Sequence, residues 1–282
     1  MNPNREKVFF LVFWLSAACA VGILFGTLAL VWYEGHAVLS VRFLTEAWSH
    51  ADIRAGGVAQ AIAGSLYVGI GVALASFPLG IATAVYLTEY APHSSARRVI
   101  QLAIRNLAGV PSVVYGLFGL AVFVSLLSFG TSILSASLTL SAMTLPWIIS
   151  ASVESLEAVP VSFRSSSLAL GATHWQTIRR VVLPAALPGC ITGGVIGIAR
   201  ALGETAPIII VGATFYLSGF PASPFDKFMA LPYHAFILAT QHASPYAHTY
   251  AAGTALVLIA LTFALSFGAI VLRYRFRKKK DW

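Results

Sequence analysis

The sequence predicts an all-α polytopic membrane protein with six transmembrane helices and both termini in the cytoplasm. The first observation is composition: 58% of the 282 residues are hydrophobic and only 10% are charged, and the mean hydropathy is +0.81. Such a chain is not a soluble domain. The second observation is that charge-free stretches long enough to cross a bilayer recur along the chain. The third is that the basic residues between these stretches fall mostly on one side of the membrane.

Charge-free stretches define the predicted spans. A signal peptide is the alternative for the first, but its apolar run continues well past Cys19, which favours an uncleaved span. The second stretch is longer than one perpendicular helix needs, which indicates a tilt, a kink at Pro78 or a partly interfacial segment. Tyr86, Glu89 and Arg105 flank the second and third spans and are predicted to be interfacial anchors. The predicted single domain, 1–282, has spans at 8–32, 62–90, 107–128, 132–152, 187–213 and 251–272, a basic loop at 91–105, a cytoplasmic loop at 154–184 and periplasmic segments at 33–57 and 214–250.

The distribution of positive charge orients the chain. With the N-terminus in the cytoplasm, only Arg42, Arg54 and Lys227 lie outside, and Arg200 lies within the membrane. The other 14 of the 18 Lys and Arg residues, including the basic tail at 273–280, lie in the cytoplasm, as the positive-inside rule requires. The net charge of +8 is therefore a topology signal, with attraction to anionic membrane lipids at the tail, and not a nucleic-acid surface.

No pattern of cysteine or histidine indicates a metal or a cofactor on this chain. Cys19 and Cys190 lie in apolar stretches, which favours packing over a disulfide or a metal site. His234, His242 and His248 lie in the outer segment at spacings that fit no familiar zinc pattern. The apolar stretch beside them, 228–239, is too short for a span and predicts an interfacial or re-entrant helix.

Two charges interrupt the fifth predicted span. Arg200 and Glu204 are the only charged residues between Arg180 and Asp226, and Pro207 shortly after them can break the helix. An arginine at the bilayer centre costs ~2.5–3.5 kcal/mol on insertion scales, so such a residue indicates a functional site. Four residues apart on a helix, the two side chains share a face and partly neutralise each other. Because a planar guanidinium matches phosphate or carboxylate, the pattern predicts an oxyanion path with Arg200 as a transient binding site; the alternative is a structural ion pair.

The cytoplasmic loop before the fifth span predicts two short helices. Gly171 separates them, and in the second helix Trp175, Ile178 and Val181 or Val182 form an apolar stripe. One interpretation is a helix that lies on the membrane surface. The other is a docking element for a cytoplasmic partner.

This loop resembles a motif of the MetI-like permeases, the membrane subunits of bacterial ABC importers, which reads E-A-A-x3-G-x9-I-x-L-P. Gly171, Val181, Leu183 and Pro184 fall on that spacing, but S-S-S at 165–167 stands in place of E-A-A and lacks its carboxylate. The resemblance implies the MetI-like permease fold and a loop of coupling helices that seats on an ATPase subunit. The residues that it assigns to this coupling are Ala169, Gly171, Ala172, Trp175, Leu183 and Pro184.

A second string, A-R-A-L-G-E-T-A-P at 199–207, is similar to the phosphate-uptake permeases of that family. This resemblance implies a heterodimer with a sibling permease, a dimer of ATPase subunits that hold ATP and Mg, and a periplasmic phosphate-binding protein. It also implies a place in the bacterial cytoplasmic (inner) membrane. The resemblance further implies that Arg200 and Glu204 are the membrane charges important for translocation.

Other classes of protein fit the sequence less well. No glycine is followed by lysine, so the phosphate-binding loop of ATPases is absent and the chain is predicted to be a non-catalytic transport subunit. The absence of G-x-S-x-G and H-E-x-x-H strings disfavours an intramembrane enzyme, and the absence of an evident inverted repeat disfavours an ion-coupled secondary transporter. A permease for sulfate, molybdate or phosphonate stays open, because these oxyanions resemble phosphate in shape and charge.

Overall fold

A computed structural model describes residues 3–49, 52–92 and 94–278. Within these ranges the chain consists of helices joined by turns and loops, and the only β pairing is an isolated bridge between Ala213 and Phe228. A 3-10 turn at His36–Val38 follows α1, and π-helical turns at Tyr86–Tyr90, Leu120–Leu126 and Ile178–Val182 follow α3, α5 and α8. The helices are α1 (Pro3–Gly35), α2 (Val41–Thr45), α3 (Ala59–Val85), α4 (Ser95–Leu107), α5 (Ser112–Gly119), α6 (Ile133–Glu157), α7 (Val161–Ala169), α8 (His174–Thr177), α9 (Leu183–Leu202), α10 (Ala206–Val211), α11 (Leu231–Thr240) and α12 (Ala247–Lys278).

Five helical stretches are long and apolar enough to cross a membrane, and a bent pair of helices is the sixth candidate. This pair joins α4 to α5 and its π turn at an angle of 99°. The prediction of an all-α membrane protein with several spans is confirmed. Lys279 and Lys280 of the predicted basic tail lie outside the described residues. The five stretches are Phe9–Val38, Ala59–Tyr90, Ile133–Glu157, His174–Leu202 and Ala247–Arg275.

The basic loop predicted at 91–105 is wrong, because most of this segment is the helix α4. Ser94 caps the helix: its side-chain oxygen accepts a hydrogen bond from the backbone N–H of Arg97 at 3.4 Å. One face exposes apolar side chains such as Val99 and Leu102, whereas the three arginines of α4 line a cavity of about 560 Å³ beside the C-terminal end of α6. The density of charge predicted a loop, but the charges occupy one face of an amphipathic helix.

Small residues let α3, α6 and α9 pack closely. A Cβ atom added to Gly80 would lie 2.5 Å from Cγ2 of Ile148, and one added to Gly194 would lie 2.5 Å from the ring of Phe77. Larger side chains at these positions would force the helices apart, which is why small residues are common where membrane helices cross. The close packing holds α9, which carries Arg200, against α6 and α3.

The segment predicted to be periplasmic, 214–250, contains a short helix, α11, where the sequence predicted an interfacial or re-entrant one. Its His234 is 1% exposed, stacks on Phe215 with 4.9 Å between ring centroids, and meets the edge of Trp48 at 4.5 Å. Neither ring nitrogen has a hydrogen-bond partner within the part of the chain that the structure describes. Burial, with a smaller contribution from His242, lowers the pKa of His234 to about 3, so this imidazole is neutral. Among the described residues, no three His, Cys, Asp or Glu side chains gather as metal ligands.

Candidate functional site

The fifth predicted span is divided at the position of its two charges. Helix α9 ends at Leu202, Gly203 follows as its cap residue, and α10 begins at Ala206. Pro207 has no N–H to donate, so it suits the first turn of a new helix better than the interior of a continuing one. Arg200 therefore stands in the last turn of a helix, next to a break in the backbone.

Arg200 and Glu204 form a loose pair. Nε of Arg200 and Oε1 of Glu204 are 3.8 Å apart, which is too far for a hydrogen bond and close enough for attraction between the charges. The Arg200 side chain is 48% exposed and the Glu204 side chain is 19% exposed. The structure brings the two predicted residues together without a hydrogen bond between the guanidinium and the carboxylate. Because the pair is partly exposed, it contributes little to stability.

Trp147 completes this site, although no sequence pattern singled it out. The central carbon of the Arg200 guanidinium lies 4.7 Å from the centre of the Trp147 ring, within the range of a cation–π contact. Trp147 belongs to α6 and is 46% exposed. The guanidinium carries five N–H donors in one plane, so a guanidinium that lies over a ring still has donors to offer to an anion. The sequence shows only a tryptophan in a charge-free stretch, and this does not indicate which helix Trp147 contacts.

The loop predicted to be cytoplasmic, 154–184, folds as two helical segments around Gly171. The backbone of Gly171 has φ +82°, a conformation that glycine adopts without a steric penalty. Thr173 starts α8 with a capping box: its hydroxyl accepts from the N–H of Gln176 at 3.3 Å, and the Gln176 side chain accepts from the N–H of Thr173 at 2.9 Å. The chain then continues through a π turn directly into α9, so this loop is joined without a break to the helix that carries Arg200.

The residues that the resemblance assigns to ATPase coupling fall into two groups. One surrounds the turn between α7 and α8, where Leu170, not singled out in the sequence, is 89% exposed. Of the predicted apolar stripe, Ile178 and Val182 are buried, whereas Trp175 is 56% exposed. The exposed residues around the turn are Ala169, Gly171 and Trp175, with the half-buried Ala172, and the half-buried residues at the start of α9 are Leu183 and Pro184.

An ion pair that the sequence did not indicate ties this loop to the membrane helices. Glu89 was predicted as an interfacial anchor, but its side chain is only 6% exposed, and its Oε1 accepts a hydrogen bond from Nη2 of Arg164 at 2.8 Å. Arg164 also donates to the backbone carbonyls of Val159 at 2.6 Å and Leu156 at 2.9 Å. Glu89 and Arg164 are 75 residues apart in the chain, so no periodicity or local spacing predicts their contact.

Residues 76–280 match the family model described as "Binding-protein-dependent transport system inner membrane component". The probable ABC transporter permease protein YqgH of Bacillus subtilis (strain 168) is 41% identical over 221 residues, which cover 75% of this chain and 70% of that protein. The phosphate transport system permease protein PstA 1 of Mycobacterium tuberculosis (strain ATCC 25618 / H37Rv) is 34% identical over 236 residues, which cover 80% of this chain and 75% of that protein.

A solved structure of the MetNI methionine ABC transporter contains a chain of the same fold. It superimposes with a TM-score of 0.65 at 17% identity, over 78% of this chain and 95% of that one. The likeness concerns the fold alone at this identity, and it confirms the MetI-like permease fold that the coupling loop predicted. The chain therefore belongs to the family of binding-protein-dependent transport system inner membrane components and is a multi-pass protein of the bacterial inner membrane.

Proposed function

We propose that this chain is the permease subunit of an ATP-driven importer that moves inorganic phosphate across the inner membrane. The observation that carries the proposal is the Arg200 guanidinium, which lies over the ring of Trp147, stands beyond hydrogen-bond distance from Glu204 and is half-exposed. A positive charge kept in a membrane helix at such a cost marks a substrate or ion pathway. The likeness to the phosphate permease PstA 1 favours phosphate among the oxyanions.

Phosphate binds at the edge of the Arg200 guanidinium. The planar fork of N–H donors matches two phosphate oxygens, while the ring of Trp147 supports the face of the group. Glu204 weakens this site, because its carboxylate, 3.8 Å from Nε, repels the incoming anion. Weak binding suits transport, since conduction requires the ion to leave as readily as it enters.

The face that carries Arg200 is incomplete without a second chain. Ile196, one turn earlier on α9, is 62% exposed, and Ile209 on α10 is 39% exposed. A half-exposed arginine on this apolar face would otherwise contact lipid tails, which is costly for a charge. A PstC-like sibling permease covers this face, and the phosphate path runs between the two permease chains.

The cytoplasmic loop is the docking surface for a PstB-like ATPase dimer, which supplies ATP and Mg. Leu170 and Trp175 project from the turn between α7 and α8, 89% and 56% exposed, and a tryptophan is a frequent anchor of protein interfaces. Closure of the ATPase dimer moves this loop and rocks the membrane helices, so that Arg200 faces each side of the membrane in turn. A PstS-like binding protein delivers phosphate from the periplasm, and this chain catalyses no reaction of its own.

The test is ATP-dependent phosphate uptake in proteoliposomes that hold the full complex, with wild type compared with Arg200→Gln. We expect uptake to be lost while the complex assembles and ATP hydrolysis persists. Arg42→Gln is the matched control, because Arg42 and Glu46 form a pair of the same spacing, 2.9 Å apart and exposed, outside the apolar stretches. Normal uptake by Arg200→Gln would leave Arg200 and Glu204 with a structural role only.

Sulfate and molybdate, each offered with a matched binding protein, separate the substrate from the mechanism. We expect the complex to move phosphate and neither of the other two ions. Uptake of sulfate or molybdate in place of phosphate would contradict the substrate assignment and leave the permease assignment standing.

A further inference from the structure

Arg164 joins three parts of the molecule at the cytoplasmic end of the helices. It belongs to α7, the first helix of the coupling loop, and its guanidinium pairs with Glu89 in the π turn that follows α3. It also donates to the carbonyl oxygens of Leu156, near the end of α6, and Val159, just before α7. The Arg164 side chain is 21% exposed and the Glu89 side chain 6%. We name this set the Arg164 clamp: Arg164, Glu89 and the two carbonyl groups.

The same end of α3 also contacts the second half of the loop. Tyr90, next to Glu89, meets the ring of His174 at the start of α8 edge-on, with 5.2 Å between ring centroids. Both Glu89 and Tyr90 lie on the π turn Tyr86–Tyr90, a departure from α-helical winding that is frequent at functional sites. This turn therefore touches both halves of the loop, while α3 itself crosses the membrane.

The acidic partner of Arg164 comes from outside the loop. Between Glu157 and Glu204 the chain contains no Asp or Glu, so Glu89 supplies the carboxylate. Within the loop, the hydroxyl groups of Ser167 and Thr177 are 2.9 Å apart and hydrogen-bonded. That bond ties the two halves of the loop to each other and not to the membrane helices.

We propose that the Arg164 clamp transmits movement of the coupling loop to α3 and α6, and that Arg164 and Glu89 are positioning residues for transport. The proposal rests on the proposed permease function of this chain. Apolar packing, such as that of Phe163 on the cluster beneath the loop, is non-directional and resists sliding weakly. A guanidinium bonded to a carboxylate and two carbonyls maintains both distance and orientation. Displacement of α7 therefore displaces α3, and the loop does not slide past the membrane helices.

The experiment measures phosphate moved per ATP hydrolysed by the full complex in proteoliposomes. Glu89→Gln and Arg164→Gln each remove one charge of the clamp. We expect both complexes to assemble and hydrolyse ATP, and the ratio to fall about tenfold, which corresponds to the loss of one hydrogen bond to a charged group. Arg164→Lys retains the charge and lacks the planar fork, so it should restore part of the ratio.

Glu157→Gln is the matched control. It makes the same change from carboxylate to amide in the Arg97–Glu157 pair, at the same end of the molecule, where the distance is 3.4 Å and the Glu157 side chain is 53% exposed. We expect its ratio to equal that of wild type. An equal fall in Glu157→Gln would overturn the proposal, because the effect would then belong to any charge at this end.

Two further results would also overturn the proposal. One is an unchanged ratio in both Glu89→Gln and Arg164→Gln with the complexes assembled. The other is loss of assembly in both variants, because the clamp would then be a folding element. If wild type moves another oxyanion, the ratio is measured with that ion, so an error in the substrate is distinguished from an error in the clamp. A wild-type complex that moves no oxyanion would refute the permease function, and the clamp proposal with it.

Discussion

Replacement of Trp147 with leucine removes the ring that supports Arg200 and keeps an apolar side chain on α6. The guanidinium carbon lies 4.7 Å from the centre of that ring, and Oε1 of Glu204 lies 3.8 Å from Nε of Arg200. The ring and the carboxylate together orient the guanidinium. Without the ring, the group turns toward Glu204, and a tighter pair occupies the N–H donors that phosphate needs. We therefore expect Trp147→Leu to slow translocation and to leave assembly of the complex unchanged.

The strength of the stacking contact sets the size of the effect. A cation–π contact is worth ~0.5–1 kcal/mol at exposed sites and ~2 kcal/mol when desolvated. Arg200 is 48% exposed in the single chain and becomes more buried once a second permease covers it, which favours ~1–2 kcal/mol. That range corresponds to a rate about five to thirty times lower, since each 1.4 kcal/mol is a factor of ten. Trp147→Phe keeps a smaller ring, so its rate should lie between those of wild type and Trp147→Leu.

The assay is the initial rate of phosphate uptake at saturating loaded binding protein. ATP hydrolysis and co-purification of the partner chains show whether each complex is intact. Equal rates in wild type and Trp147→Leu would refute the reasoning, because the stacking contact would then contribute nothing. Equal rates in Trp147→Phe and Trp147→Leu would refute a role for the aromatic ring, since only the bulk of the side chain would then matter.

Two further predictions concern the loop and the outer side. Gly171→Ala places a side chain at φ +82°, at a cost of about 1–2 kcal/mol, so less ATPase should co-purify with this variant than with wild type. Gly171→Asn is the control, because asparagine tolerates this conformation better than alanine. Equal recovery of ATPase with Gly171→Ala and with wild type would contradict the argument. Because burial lowers the pKa of His234 from 6.5 to about 3, the unfolded chain binds a proton that the folded chain does not. The contribution of neutral His234 to the free energy of unfolding is therefore fully present above pH 6.5. It falls by about 1.4 kcal/mol per pH unit as the pH drops toward 3. Melting temperatures in detergent should show this loss, and His234→Phe should reduce the slope; equal slopes would rule out His234 as its source.

The fold class could be predicted because the cost of a charge in hydrocarbon depends on local composition. A stretch without charges is readable directly, whichever helices later pack around it. Helix α4 was missed for the converse reason. Its three arginines raise the polarity of the segment, but a helix depends on the face those charges occupy, and Val99 and Leu102 on the other face were read as part of a loop.

The candidate site could be predicted in part. Arg200 and Glu204 were evident because charges within a span are rare and costly. The contact of Arg200 with Trp147 was not, because the two residues belong to different helices and meet only when α9 packs on α6. Glu89 was assigned to the membrane surface because a charge at the end of a span normally lies there. Its burial against Arg164 depends on how the coupling loop folds back on α3.

By itself, the sequence determined the membrane class, the coupling-loop motif and the charged pair in the fifth span, and it predicts the orientation. These follow from local properties of the chain, namely the transfer free energies of its residues and the spacing of residue types. The tertiary structure alone decided that Arg200 lies over the ring of Trp147, that Glu204 stays just beyond hydrogen-bond distance and that Arg164 ties the loop to α3. Such contacts join residues that are distant in the chain, and their geometry exists only after the small residues of α3, α6 and α9 have let these helices pack closely.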